Sequence, residues 1–441
     1  MGRPLHLAAR QGINEDDRCG WVETLPPRRR PVRSLHGERE VDCAVIGAGF
    51  TGLAAARQLC RRRPDWKVAV LDARQVADGS SGRSSGFLVD FTDLTAAMPW
   101  EDRLRHMRLA RAGIAQLESL VKEHDIDCAW DRTGWIRAAA GPAGEEALDR
   151  WPELCEKLGL AFRVLDRQGM TGVTGSAYYR KGIRMTGYPL VQGAALVRGL
   201  AESLPEGVEL FENSPVLAVE GSGPYRLTLR EGSVEAARLF LATNAYSASL
   251  GLFPRQIFPV QTFGSLTRVL TSQEQKALGG EREWGVLGTD FMGSSLRRTR
   301  DQRLLVRNTL AYDRRLQVPK GRLASAREAH RRALLRRFPQ LSEVELETTW
   351  SGLTATAVDY QPTFTQLHDH AYLAAGYSGA GIAMGTTLGA LLADLALGES
   401  SDLLRDALAL PAPRKLPPEP FRSLGARWVL ARMNARARPF L

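Results

Sequence analysis

Short apolar runs alternate with stretches of helical periodicity along this chain, and their order predicts its elements. "VDCAVIGAG" (Val41–Gly49) is an apolar, β-rich run that ends on glycines. "FTGLAAARQLCRRR" follows with helical composition, and "KVAVLDA" (Lys67–Ala73) reads as a second strand, completing a β-α-β unit. From about Leu94 to Glu123 apolar residues recur at helical spacing through Leu104, Met107, Ile114, Leu117, Leu120 and Val121. "TGWIRAA" and "AFRVLD" predict strands around a helix at Ala143–Leu158, and "VQGAALVRGLAESL" (191–204) predicts another helix. Strand-like pieces then follow one another in "VELFENSPVLAVEG", "YRLTLREG", "VEAARLFLATNAYS", "PVQTFGSLTRVL", "SSLRRTRDQRLLVRN" and "LETTWSGLTATAVD", with a helix expected at Leu323–Phe338. "AYLAAGYSGAGIAMGTTLGALLADLALG" is a strand, a glycine turn and a helix. Residues 1–40, rich in Arg and Pro around Trp21, read as an irregular arm on the surface. After Glu399 a Pro-rich connector leads to the basic tail "FRSLGARWVLARMNARARPFL".

Length and composition narrow the class. At 441 residues the chain suits two domains, and its 44% apolar and 24% charged residues are those of an ordinary globular protein. The net charge of +10 comes mostly from short arginine runs such as Arg28–Arg30, Arg61–Arg63 and the Arg331/Arg332/Arg336/Arg337 set. These are not gathered into one tract with interleaved aromatics, so solvated faces are expected rather than nucleic-acid binding. The five cysteines (Cys19, Cys43, Cys60, Cys128, Cys155) are scattered without a CxxC pair. That argues against a disulfide framework and against a metal site, and fits a reducing cytoplasm. Met1–Arg10 lacks the apolar stretch of a signal peptide, and no run of about 18 apolar residues occurs. A soluble or at most peripheral cytoplasmic protein is expected.

Gly47-Ala48-Gly49-Phe50-Thr51-Gly52 is a G-x-G-x-x-G between the predicted strand and helix. Its first glycine makes the tight turn, its second admits a pyrophosphate, and its third lets helix pack on sheet. The helix N-terminus then offers free N–H groups to the phosphates. Asp72, 20 positions past Gly52, ends the second strand where a carboxylate can accept from ribose hydroxyls. This fingerprint alone does not separate NAD from FAD. Two further segments favour FAD. "ADGSSGRSSGF" (Ala77–Phe87) is a Gly/Ser loop with many backbone donors, able to wrap a flavin and its phosphates. Gly376-Tyr377-Ser378-Gly379-Ala380-Gly381-Ile382 opens the last helix and can aim N–H groups at the flavin pyrimidine edge.

Together, over about residues 20–400, these residues resemble the glycine/D-amino-acid oxidase family of FAD enzymes, and within it the γ-glutamylputrescine-oxidase-like branch. The landmarks are "W…TLPP", "AVIGAGFTGLAAARQL", "GSSGRSSGF", "LVQGAAL", "SPVLAV", "FLATNAYS", "LRRTRDQRLLVRN", "TTWSGLTATAVDYQP" and "AAGYSGAGIAMGTTLGALLADLALG". The resemblance implies an α/β (mixed α+β) fold, a Rossmann-like FAD-binding domain interleaved with a substrate domain on a large mixed β-sheet. The corresponding division is an arm at 1–40, an FAD-binding domain at 41–92, 181–262 and 346–400, a substrate domain at 93–180 and 263–345, and a basic tail at 401–441. It places Gly47, Gly49, Phe50, Thr51, Gly52, Asp72, Ala73, Arg74, Ser81, Gly82, Arg83 and Ser84 along the dinucleotide. Val216 would flank the adenosine, with Thr243 also against the cofactor. Gly352, Gly376, Gly379, Ala380, Gly381 and Ile382 would border the isoalloxazine. The implied chemistry is hydride transfer from the carbon beside an amine to flavin N5, giving an imine that hydrolyses.

The chain departs from the family at three points. Many relatives carry a histidine where Ala380 stands. Sarcosine oxidases carry a lysine near the flavin that activates oxygen, whereas "RRTRDQRLLVRN" holds arginines only. Neither Cys nor His occurs in "GSSGRSSGF" or "TTWSGLTATAVDY", so FAD is expected to be non-covalent. For the substrate, Arg297 and Arg298 fit either a bidentate clamp on a carboxylate or an exposed arginine pair. Trp350 fits a wall over the flavin or a core tryptophan, and Tyr377 fits a pocket lining or a packing role. His368 and His370 are expected to be structural, and Asp359 to fix a turn. The leading expectation is an enzyme oxidising a small amine or amino acid, such as a secondary amine or γ-glutamyl polyamine. Its acceptor would be O2 or, in a dehydrogenase, a quinone or carrier protein. A non-catalytic flavin-binding subunit is the further alternative. The tail, with Phe421, Leu424, Trp428 and Leu430 among arginines, fits a membrane-surface helix or one packed on the body.

Overall fold

In the computed structural model, which describes residues 4–9, 18–91, 98–289, 293–312, 316–319 and 321–437, strand periodicity builds two sheets. The first has nine strands. Its parallel centre runs Val208–Phe211, Val68–Leu71, Gly37–Ile46, Gly232–Leu241 and Ala371–Ala375. Leu5–Ala8, Ala218–Gly221 and Tyr225–Thr228 extend one edge antiparallel, and Thr363–His368 forms a hairpin with Ala371–Ala375. Because side chains alternate along a strand, the two faces sort into two cores. Cys43, Val45, Val68 and Val70 pack with Leu53, Leu59 and Leu388 of the covering helices Phe50–Arg62 and Ala383–Ala396. Ala44, Ile46, Ala69 and Leu71 pack with Phe211, Tyr225 and Ile257 on the other side.

The second sheet has eight strands in the order Leu346–Thr356, Phe258–Thr267, Leu304–Ala311, Ser295–Arg298, Trp284–Gly288, Trp135–Ala139, Lys181–Met185 and Phe162–Leu165. Neighbours are antiparallel except Trp284–Gly288 beside Trp135–Ala139. The C-terminal part of helix Arg322–Arg337 closes one face, where Ala333, Leu334 and Phe338 meet Val286, Leu296 and Val306. Part of the other face borders a cavity. The α/β architecture with a large mixed sheet is as expected. The proposed segment boundaries at 181, 262 and 346 fall on strands of this second sheet.

Four readings of the pattern change. The arm is not simply irregular surface. Leu5–Ala8 adds an edge strand, Gly20–Glu23 makes a helical turn, and Trp21 is 2% exposed because its indole packs beside Trp350. The helix expected at Ala143–Leu158 is two helices, Pro142–Asp149 and Trp151–Lys157, broken at Arg150 by Pro152, which has no N–H to continue the ladder. The helix expected from Leu94 begins at Trp100 among the described residues, and 94–97 lie outside them. The region past Glu399 contains a helix at Asp402–Ala409, and the tail is a helix over Phe421–Ala437. No helix among the described residues is long and apolar enough to cross a membrane.

Candidate active site

The turn after Gly37–Ile46 sets the geometry. Gly47 takes φ +104°, and a side chain there would stand 2.8 Å from the Ala242 carbonyl oxygen. At Gly49 a Cβ would lie 2.6 Å from Ser81 Oγ, and at Gly52 only 1.8 Å from the Gly47 carbonyl oxygen. Strand and helix therefore meet at a distance that only glycine permits. The N-cap Gly49 offers no side chain to the helix that follows. Apart from the Phe50 N–H, its first N–H groups and the positive end of its dipole are left for an anion.

Asp72 closes the other side of this turn. Its two oxygens accept from the Ala48 N–H at 2.7 Å and the Arg74 N–H at 3.0 Å. Burial pushes its carboxyl up to about 6, against the pull of those two N–H groups. The loop Ala77–Phe87 folds over the turn. Ser81 Oγ accepts from the Phe50 N–H, and Arg83 NH1 donates to the Ser351 carbonyl at 2.9 Å, pinning the loop to the second sheet. The hydroxyls of Ser80 and Ser84 are buried without a hydrogen-bond partner. Two orphaned hydroxyls beside a helix N-terminus are what a polar ligand would satisfy.

The third wall is the turn before the last helix. Gly376 and Gly379 take φ +83° and +96°, and Asn244 Oδ1 accepts from the Gly376 N–H at 3.0 Å. Tyr377 shares a 2.8 Å hydrogen bond with Thr51 and donates to the Ala374 carbonyl. It therefore ties this turn to the glycine-rich helix. Burial raises its phenol well above the usual range. Helix Ala383–Ala396 also starts without a side-chain cap.

These walls enclose one cavity of about 750 Å³ that runs from the C-terminal ends of the parallel strands to the open face of the second sheet. That volume is near the upper end for small-molecule sites, and the position is where open α/β sheets bind ligands. It gathers Gly47, Gly49, Phe50, Thr51, Asp72, Ala73, Arg74, Ser81, Arg83, Ser84 and Thr243 with Trp350, Gly352, Tyr377, Gly379, Gly381 and Ile382. Gly52, Gly82 and Gly376 lie behind the lining, where they allow close backbone packing or a positive φ. Ala380 lines a second cavity of about 40 Å³ with His106 and Arg103. Val216 is half-buried against the second core, away from the lining.

Both arginines first considered for the substrate are corrected to bracing roles. Arg297 is 1% exposed, donates to the Val191 and Ser85 carbonyls, and lies 5.8 Å from the Trp21 ring. Arg298 points to the opposite face, bonding Gln302 Oε1 at 2.7 Å and the Gly279 carbonyl. Trp350 is 2% exposed and donates to the Arg83 carbonyl, so it supports the loop as well as lining the cavity. His368 bonds Tyr225 in the distant hairpin, and Asp359 accepts from the Gln361 and Arg414 N–H groups in a turn. Among the described residues no His, Cys, Asp and Glu gather as a metal site.

The sequence reading missed Arg137 and Arg307, which line the cavity on the second sheet. Arg307 NH2 donates to Ser295 Oγ at 2.9 Å, and burial, with Arg137 nearby, lowers its pKa to about 10. Arg137 donates to the Gly288 carbonyl and lies 5.2 Å from the Trp151 ring centroid. Among the described lining residues the cations are Arg74, Arg83, Arg137 and Arg307, the one acid is Asp72, and there is no lysine, cysteine or histidine. The tail helix closes the far end, with Leu430 and Met433 packed on Val260 and Leu310, while Phe421, Leu424 and Trp428 face solvent.

Comparison with known proteins converges on one family. The profile described as "DAO: FAD dependent oxidoreductase" matches residues 42–395. A "Probable oxidoreductase OrdL" of Rhizobium meliloti is 29% identical, over 89% of this chain and 91% of that protein. "Gamma-glutamylputrescine oxidoreductase" of Escherichia coli is 26% identical, over 91% of this chain and 95% of its own length. Among solved structures, glycine oxidase from Geobacillus kaustophilus superposes with a TM-score of 0.70 at 20% identity, covering 82% of this chain and 96% of that one.

Proposed function

From the premise that this chain belongs to the DAO family of FAD-dependent oxidoreductases, we propose that it oxidises a C–N bond of a small amine or amino acid. The observation that carries this reading is the single cavity joining a dinucleotide cradle to the open, arginine-bearing face of the second sheet. The relatives named for γ-glutamylputrescine and for glycine both act on amines, which favours that substrate class. When bound, FAD supplies the hydride acceptor, N5; the oxidised amine leaves as an imine that water hydrolyses.

The chain's own residues position the partners. The Gly47–Gly52 turn and the helix N-terminus would hold the pyrophosphate, and Asp72 would accept from the ribose. The hydroxyls of Ser80 and Ser84 would gain partners from the cofactor. Gly352, Gly379, Gly381 and Ile382 would border the flavin, and the open N–H groups of the last helix would favour negative charge on it. Trp350 and Tyr377 fix that wall by packing and hydrogen bonds, and the tail helix helps exclude water.

A second reading changes only the electron acceptor. The lining, as described, has no lysine to favour oxygen, and the solvent-facing Phe421, Leu424 and Trp428 of the tail helix suit contact with a quinone or carrier protein. One experiment addresses both readings. The yellow protein is mixed anaerobically with amines, D- and L-amino acids, N-methyl amino acids and γ-glutamyl polyamines, and then opened to air. Bleaching by one class supports C–N oxidation, and slow reoxidation in air with fast dye reduction supports the second acceptor. Retained flavin that none of these compounds bleaches would count against the proposal.

A further inference from the structure

From Phe421 to Leu441 every ionisable side chain is an arginine. Arg422, Arg427, Arg432, Arg436 and Arg438 meet no Asp or Glu in that stretch. The connector before it adds Arg414 and Lys415 against Glu419, so residues 411–441 carry more than half of the net charge of +10. Arg422 is used on Glu419, 2.6 Å away, whereas Arg427 and Arg432 are exposed.

Helix Phe421–Ala437 is apolar on two faces, and the body covers one of them. Leu430 and Met433 point inward and pack on Val260 and Leu310. Phe421, Leu424 and Trp428, spaced i, i+3 and i+7, form a stripe about half a turn away. These three are 67%, 61% and 62% exposed. The Arg432 guanidinium lies 5.4 Å from the Trp428 ring centroid, so charge and indole share this outer face. Val429, Leu430 and Met433 also line the large cavity, and Val429 is exposed as well. The helix therefore stands at the cavity's rim with its outer stripe turned to solvent.

We propose that this outer face docks on an anionic lipid surface. Phe421, Leu424 and Trp428 enter the boundary between headgroups and acyl chains, and Arg427 and Arg432 meet lipid phosphates. Apolar insertion and basic charge are the two signals that stable peripheral binding needs together. A second copy of the chain fits this face less well, because it would set arginines against arginines. Docking in this way holds the cavity's rim against the bilayer. The assignment concerns where the chain works and does not rest on C–N oxidation.

The test is sedimentation of the purified full chain with vesicles, either of phosphatidylcholine alone or with about one third phosphatidylglycerol. Wild type is expected to bind the anionic vesicles at least tenfold more tightly, and about 1 M salt, with a screening length of about 3 Å, should release it. Leu424→Ser with Trp428→Ser should weaken anionic-vesicle binding tenfold or more. Arg427→Gln with Arg432→Gln should weaken it about fivefold for each arginine removed, and should leave binding to neutral vesicles unchanged. All four side chains face solvent, so melting temperatures should match wild type and show that the variants are folded. Equal binding to both kinds of vesicle, or wild-type binding by the serine variant, would overturn the proposal. So would a chain that ignores vesicles and instead sediments as a dimer that Trp428→Ser breaks, since the face would then belong to a second copy. No turnover enters the measurement, so a flavin that no amine bleaches would remove the C–N oxidation reading and leave this one standing.

Discussion

At Gly52 the margin is a single methyl group. A Cβ there would stand 1.8 Å from the Gly47 carbonyl oxygen, a backbone atom that cannot swing aside. Gly52→Ala is therefore expected to be purified colourless, or with flavin far below one per chain, and dialysis against excess FAD should not restore it. A yellow Gly52→Ala protein would refute the assignment of this turn. Asp72 makes a prediction of a different kind. Its folded pKa of about 6 stands above the ordinary 3.8. The folded apo protein therefore holds a proton between those values that the unfolded chain has released. The stability this contributes is complete below about pH 4 and is lost as pH rises through about 6. FAD needs the ionised carboxylate as acceptor, so its Kd should rise as pH falls below 6, by at most about tenfold per unit. Asp72→Asn should flatten that profile, and fluorescence titration between pH 5 and 8 reads it. That the glycine turn and Asp72 share one cavity was legible at this scale, because glycine and a strand-end acid have few other uses at that spacing. The substrate end was not. Arg297, Arg298 and Arg307 stand on neighbouring strands of one hairpin. Only the loop 84–86 covering Arg297, and the alternation that turns Arg298 away, leave Arg307 in the cavity. Both depend on contacts far apart in sequence.

Elements were legible where one period dominates. Gly37–Ile46, Gly232–Leu241 and Ala383–Ala396 follow from apolar runs and glycine punctuation. Short strands such as Trp284–Gly288 and Lys181–Met185 carry too few residues for a period to be read, and tertiary pairing decides them. The arm's Trp21 became core through its match to Trp350 and the Ser84 carbonyl, which composition does not announce. Where two helices cross, the sequence signal is clear in retrospect. Gly385 and Gly389, one turn apart, let Ala383–Ala396 lie against Phe50–Arg62. A Cβ at Gly389 would meet the Thr51 carbonyl oxygen at 2.1 Å. Gly389→Val is expected to destabilise the fold by about 1–3 kcal/mol through overpacking. It should also weaken FAD binding, because it pushes on the helix that carries the glycine turn. Gly425→Ala, in open space on the tail helix, is the control and should leave the melting temperature unchanged or slightly higher. Equal melting curves for Gly389→Val and wild type would show that the crossing has room to spare.

In the whole molecule the cavity lies where the pieces join. The glycine turn comes from the parallel sheet, and the floor with Arg307 comes from the second sheet. The covering loop Ala77–Phe87 is held to that sheet by Arg83 and to the arm by Trp21. Arg28 of the arm adds a 2.7 Å ion pair with the buried Glu212, which also accepts from the Val76 N–H at 2.6 Å. A cofactor bound here would bridge the two sheets, and it would offer partners to two buried serine hydroxyls that have none among the described residues. Flavin removal should then act on the molecule as a whole. With FAD at about 100 times its Kd, binding adds about 2.7 kcal/mol to the folded state, so the melting temperature should rise with FAD concentration. In the apo protein, limited proteolysis should cut first within 77–87, the segment whose anchors the cofactor completes, and added FAD should protect those bonds. An apo protein that melts at the holo temperature and is cut elsewhere would mean that the two sheets are joined without help from this cavity, and that its orphaned hydroxyls answer to some other ligand.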